Sequence, residues 1–201
     1  MTSDARKQHC KAARPSWSQV KAQIKHWDKA QLTGLVQDLF DHSQDNRGFL
    51  AARLLRDSIG EQAIAPYLKR IESAFYRKNG WPANRLDLKD ARSAIREYQR
   101  ATSDPAGTLE LMLAHVEIGT AFTREFGDIS EAFYDSLCSS LQELKKLLVS
   151  EEGRLLYPRV KDRLAALARR ADGIGWGYGD YVGDVVAELQ QELDTQAQPQ
   201  A

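Results

Sequence analysis

LELMLAHVEIGTAFTREFGDISEAFYDSL, from Leu109 to Leu137, is the stretch on which the fold turns. Projected at about 100° per residue, Leu109, Met112, Leu113, Val116, Gly119 and Phe126 form one apolar arc, and Leu111, Ile118 and Phe122 form a second. Glu110, Glu117 and Arg124 share the narrow polar edge that is left. A helix apolar on two sides belongs between neighbours, so this one is placed at the centre of the molecule. Gly119 falls in the first arc, where a missing side chain lets a partner come close, although glycine costs about 1 kcal/mol against alanine inside a helix. Gly127 ends the helix, because glycine takes the left-handed conformation of such ends without strain. Asp128-Ile129-Ser130-Glu131 then reads as a capping box, with Asp128 accepting from the first amides of the next helix and Glu131 reaching back. The product is a sharp corner between two antiparallel helices.

On the N-terminal side, residues 1–15 are polar, basic and aperiodic, and read as a disordered arm. Ser16-Trp17-Ser18-Gln19 and Asp28-Lys29-Ala30-Gln31 are two further capping boxes. They open helices striped by Val20, Ile24 and Trp27, and by Leu32, Leu35, Val36 and Leu39. Phe49, Leu50, Arg53 and Leu54 mark a short third helix, and Ile64, Leu68, Ile71 and Phe75 a fourth after Gly60. In RKNGWPANRL, residues 77–86, Asn79-Gly80 is a turn signal and Pro82 disfavours helix at Trp81, which predicts a loop and a candidate subdomain break. Asp87 caps a fifth helix with Ala91, Ile95 and Tyr98 inward, and Asp104-Pro105 starts the sixth.

Beyond the corner, Phe133, Leu137, Leu141, Leu144 and Leu148 stripe the next helix. Its partner runs through Leu156, Val160, Leu164, Leu167 and Ala171, and Pro158 means that it either starts there or is kinked. The glycine-rich ADGIGWGYGD, residues 171–180, precedes a last helix from about Tyr181 to Leu193, and 196–201 is a tail. Nothing alternates with period two, so no sheet is predicted. The expected fold is all-α: about nine helices as stacked helical hairpins, an irregular α-solenoid or orthogonal bundle, in one domain spanning 16–195.

Charged residues make up 28% of the 201 and the mean hydropathy is −0.52. No run approaches the roughly 20 apolar residues of a membrane helix, and the N-terminus has no apolar signal core. The expectation is a cytoplasmic protein with no membrane partner. Cys10 and Cys138 make at most one bridge and cannot supply a zinc quartet, so reduced thiols are expected. Net charge is zero but polarised: residues 1–100 carry 19 Lys/Arg and 11 Asp/Glu, a net +8, and residues 101–201 carry 9 and 17, a net −8. Such polarity either steers an acidic partner to one end or draws the two halves together.

Three features qualify as candidate sites. Lys89, Arg92, Arg96 and Arg100 follow one ridge of the fifth helix with Arg85 just upstream, a row suited to nucleic-acid phosphate, against the simpler reading of a solvated face opposed by Asp90 and Glu97. No recognised nucleic-acid reader motif accompanies it. Trp176 and Tyr178 in the glycine corner make a second binding surface, against the simpler reading of a helix end with Trp176 packed beneath it. Gly173, Gly175, Gly177 and Gly179 do not read as a phosphate cradle, because a helix precedes them and Asp180 puts negative charge at the following helix start. Third, Glu131 with Asp135 and Asp180 with Asp184 are carboxylate pairs at helical spacing that would hold magnesium or manganese if they converged. Acidic first turns are equally expected from the helix dipole alone. His9, His26, His42 and His115 show no metal-binding spacing, and Ser136 has no adjacent base.

The segments FGDISEAFYDS (126–136) and GIGWGYGD (173–180) resemble those of a bacterial all-helical family classified only as a domain of unknown function. Residues 32–54 and RLDLKDARSAIREY, residues 85–98, are similar to the same family. The layout is also loosely similar to the helical domain that follows a SWIM zinc finger in some bacterial proteins, without that finger's cysteines and histidine. The resemblance implies an all-helical fold and brings no catalytic residues with it. The function expected is a non-catalytic helical scaffold for protein–protein interaction with no cofactor and another protein as partner. The alternatives are a nucleic-acid-associated adaptor using the basic ridge and a metal-assisted hydrolase using the four carboxylates.

Overall fold

The computed structural model describes residues 15–55 and 60–195, and among them every regular element is helical. The predicted arm and tail lie outside the described residues, apart from Pro15. The chain divides into two units, residues 1–46 and 47–201. The division therefore falls between Asn46 and Arg47 and not in the loop at 77–86.

In the first unit, α1 (Trp17–Ile24) and α2 (Lys29–His42) begin at the two expected capping boxes. Ser16 and Asp28 each accept from the amide three residues on, and Gln19 and Gln31 reach back to the cap amides at 2.7 and 2.9 Å. Neither helix contains a buried residue, and the two make no extended contact with each other. Their stripes therefore stay open, with Val36, Leu39 and Phe40 exposed. The capping chemistry is as the sequence predicts; a packed first hairpin does not form.

The second unit contains α3 from Arg47 on (the helix spans Gln44–Leu54), a single 3₁₀ turn at Gly60–Ala63, α4 (Ala65–Phe75), α5 (Leu88–Thr102), α6 (Pro105–Phe126), α7 (Glu131–Val149), the one-turn α8 (Glu151–Arg154), α9 (Tyr157–Ala171) and α10 (Tyr178–Thr195). The α6 helix is the axis: it packs against α4, α5, α7 and α9. Both of its apolar arcs are covered as far as Phe122, with Leu111, Leu113 and Val116 at 0% exposure and Phe122 buried. Three hairpins, α4–α5, α6–α7 and α9–α10, stack as predicted, with α10 lying against α7 and α9. Phe133, Leu137, Leu141, Leu144 and Leu148 of α7 and Val160, Leu164, Leu167 and Ala171 of α9 all face the core. Pro158 sits in the first turn of α9 and starts the helix without kinking it. A side chain at Gly119 would overlap Leu137, so this glycine admits α7 close against α6.

Several expectations change. Ser130 rather than Asp128 caps α7, accepting from the Phe133 amide, because the Asp128 carboxylate is engaged by the Tyr134 hydroxyl at 3.0 Å. Phe126, placed in the first arc, is 40% exposed at the last turn of α6. The ten α-helices described agree with the about nine expected, the one-turn α8 being additional, and α10 begins three residues earlier than the sequence suggests.

Arginines fasten the hairpins together. Arg70 of α4 reaches Asp90 at 2.5 Å and Glu97 at 2.6 Å on α5, and Arg163 of α9 reaches Glu110 and Glu117 on the polar edge of α6 at 2.6 and 2.7 Å. Each pairing holds its guanidinium well above the ordinary arginine range, foremost through the hydrogen bonds to Asp90 and Glu117 respectively, against the opposing effect of burial.

Candidate functional site

The α5 helix is strongly amphipathic. Ala91, Ala94, Ile95, Tyr98 and Ala101 are buried, which leaves its cations on the outer edges. Its start is fixed by Asp87, whose carboxylate accepts from the Asp90 amide at 3.0 Å. Its end is turned by Ser103 in the left-handed region, φ 50°. Docked beside α7, this helix forms one wall of an open groove of about 890 Å³. Arg85, Lys89, Arg92 and Arg96 line it from the α5 side, and Ala132, Asp135, Ser136 and Ser139 from α7. Four of the five cations predicted as a ridge thus share one groove; Arg100 continues the row one turn beyond it.

Their ion pairing differs. Arg92 is spanned across to Glu143 of α7 at 2.6 Å. Among the described residues, Arg85, Lys89, Arg96 and Arg100 have no ion-pair partner. From Lys89 to Arg100 the row spans roughly 16 Å at 1.5 Å per residue. Asp87 and Asp135 also border the groove and moderate its charge without cancelling it. Ser136 adds a hydroxyl that is buried and has no hydrogen-bond partner among the described residues. The α7 contribution is not visible as a site in the sequence. Only the helical spacing from Phe133 to Leu148 hints that Ser139 and Glu143 lie off the buried stripe.

Behind the groove, His115 of α6 is fully buried, with Nδ1 2.8 Å from the Ser140 hydroxyl and Nε2 unpartnered. Burial, helped by the positive charge of Arg92, pushes its pKa down to about 4, so it is a neutral core imidazole at pH 7. Cys138 is half-buried and its thiol is pushed up to about 11, chiefly by burial, which makes it a poor nucleophile.

The other two candidate sites come out differently. At the glycine corner, Trp176 is 62% exposed and is not packed beneath the turn; it sits at a left-handed φ of 59° between Gly173 and Gly177, which are left-handed too. Its ring stacks at 6.4 Å on Tyr134. Tyr178, paired with it as a binding residue, is instead buried, with its hydroxyl 2.6 Å from that of Thr120 on α6. Tyr178 therefore anchors the corner, and only Trp176 is available to a partner. Gly175 lies against the Asp128 carboxylate, where a side chain would come within 3.2 Å. The FGDISEAFYDS and GIGWGYGD segments thus pack against each other through Asp128, Tyr134, Gly175, Trp176 and Tyr178.

The four carboxylates do not converge. Among the described residues no three of histidine, cysteine, aspartate or glutamate form a group able to hold a metal ion, so Glu131, Asp135, Asp180 and Asp184 do not make the metal site that the hydrolase alternative required. Asp135 borders the basic groove instead, and Asp180 lies in the first turn of α10. No helix among the described residues is long and apolar enough to cross a membrane. Comparison of the chain with protein-family models, with curated proteins and with solved structures finds no match.

Proposed function

We propose that the chain is a non-catalytic helical scaffold that binds another protein, and that the α5–α7 groove takes an acidic segment of that partner. The observation that carries this reading is the contrast among the arginines. Arg70, Arg92 and Arg163 are spent on carboxylates that tie helices together, whereas Arg85, Lys89, Arg96 and Arg100 stand in a row with no carboxylate of their own among the described residues. Unpaired cations along one helix edge, Lys89, Arg96 and Arg100, suit carboxylates presented along an extended or helical segment. Nucleic acid is the competing polyanion. No aromatic side chain is among the groove's lining residues, so the stacking platform usual for single-stranded nucleic acid is missing there.

Fluorescence anisotropy with a labelled Glu-rich decapeptide and with a single-stranded RNA of equal charge tests the reading. The peptide is expected to bind at low salt with a Kd on the order of 10 μM, weakening steeply with added salt. The variant carrying Lys89→Glu and Arg96→Glu should lose it. An unchanged affinity in that variant removes the groove from consideration, and RNA binding well above peptide binding reassigns it to nucleic acid.

A further inference from the structure

The surface most complementary to the groove belongs to the chain itself. The α10 helix carries Asp180, Asp184, Glu188, Glu192 and Asp194 and not one lysine, arginine or histidine. The first four recur once per turn over roughly 18 Å, against roughly 16 Å for the row from Lys89 to Arg100. All four are exposed. Glu188 is held by Lys145, and Glu192 lies 3.8 Å from Arg154, but Asp180 and Asp184 have no ion-pair partner among the described residues. Among those residues no ion pair joins a cation of α5 to a carboxylate of α10, so within one copy the two rows do not satisfy each other.

We propose that the acidic edge of α10, led by Asp180 and Asp184, docks in the α5–α7 groove of a second copy, opposite Arg85, Lys89 and Arg96. The proposal rests on the groove being a site for acidic protein segments and names one such segment. It also gives the charge polarity of the chain, +8 over residues 1–100 and −8 over 101–201, a physical consequence. The two surfaces differ, so the contact is heterologous: copies add head to tail and either close into a ring or continue as a chain. Because the contact is between exposed charges, it is strong at low ionic strength and screened at high.

Sedimentation velocity on the full chain, over a concentration series at about 20 mM and about 300 mM salt, reads this directly, the two salt levels bracketing the change in Debye length. Association is expected at low salt and monomer at high salt. The variant Lys89→Glu with Arg96→Glu and the variant Asp180→Lys with Asp184→Lys should each weaken association about tenfold or more. A mixture of the two should recover it, because the unaltered α10 of one fits the unaltered groove of the other. That recovery also shows that neither variant lost association by unfolding. Should Asp180→Lys with Asp184→Lys lower the melting temperature, Asp180→Asn with Asp184→Asn provides the second test. A chain that stays monomeric at low salt, or association that survives either charge reversal, overturns the proposal. If that monomeric chain still binds the Glu-rich decapeptide, the groove reading stands and only its self-docking fails; if it binds no peptide either, both fall.

Discussion

His115 shows how a single buried side chain couples the molecule to pH. The structure holds the imidazole neutral at the α6–α7 contact, with its pKa lowered from 6.5 to about 4 by burial first and Arg92 second. A group whose folded pKa is depressed leaves the unfolded state binding more protons between the two values. Its stabilising effect is therefore complete above pH 6.5 and is lost as pH falls from there towards 4. At about 1.4 kcal/mol per pKa unit, urea unfolding should show a loss on the order of 2–3 kcal/mol between pH 7 and pH 4.5 from this residue. His115→Gln should remove that part of the pH dependence. A variant with the same difference between the two pH values as the parent would show that His115 is not the coupled group. Legibility is uneven at this scale. The sequence places His115 in a helix and gives it no metal-binding spacing, but its burial depends on Ser140 and Phe75, which reach it from other helices.

At the scale of elements, apolar spacing carries most of the fold. Stripes repeating every three or four residues identify α4 to α7, α9 and α10, because a helix that buries one face must repeat it. What spacing cannot show is which way a turn throws its side chains. Gly173, Trp176 and Gly177 all take left-handed φ values, and this sequence of turns sends Trp176 outward and Tyr178 inward, the reverse of the simpler expectation for Trp176. The groove is half legible for a similar reason. Lys89, Arg92 and Arg96 share a ridge by helical spacing, whereas the pairing of Arg92 with Glu143 joins residues 51 apart and is settled only by docking α5 beside α7. The α6–α7 corner supplies the test at this scale. The sequence reads Asp128 as the cap, and the structure uses Ser130. Ser130→Ala should therefore cost about 1 kcal/mol, as for other helix caps. Asp128→Ala should cost a comparable amount for a different reason, the hydrogen bond from Tyr134. The two are distinguishable by combining each with Tyr134→Phe: the cost of the aspartate change should shrink once the tyrosine hydroxyl is gone, while that of Ser130→Ala stays. Equal costs for Asp128→Ala with and without that hydroxyl would return the aspartate to a capping role.

Over the whole molecule, the described buried core belongs to the second unit. Every buried hydrophobic residue lies at Ala52 or beyond, and α1 and α2 contribute none. The helices of the first unit are well capped yet keep Trp17, Val20, Trp27, Leu32, Val36, Leu39 and Phe40 exposed, so their stability rests on caps and local propensity. Isolated helices of 8 and 14 residues are marginal in water on those terms alone. The second unit has the stacked hairpins, the arginine clamps and the buried arcs of α6. A chain beginning at Arg47 should consequently fold by itself, with a cooperative thermal transition whose midpoint lies within about 4 °C of the full chain, the shift that roughly 1 kcal/mol produces in a domain of this size. It should also bind less of an apolar dye, because the stripes of α1 and α2 are gone. Circular dichroism melting of the two chains decides the matter. A shortened chain that melts broadly, or that loses far more than those few degrees, would mean that the apolar edges of α1 and α2 are part of the core's stability, and that the second unit is not a folding unit in its own right.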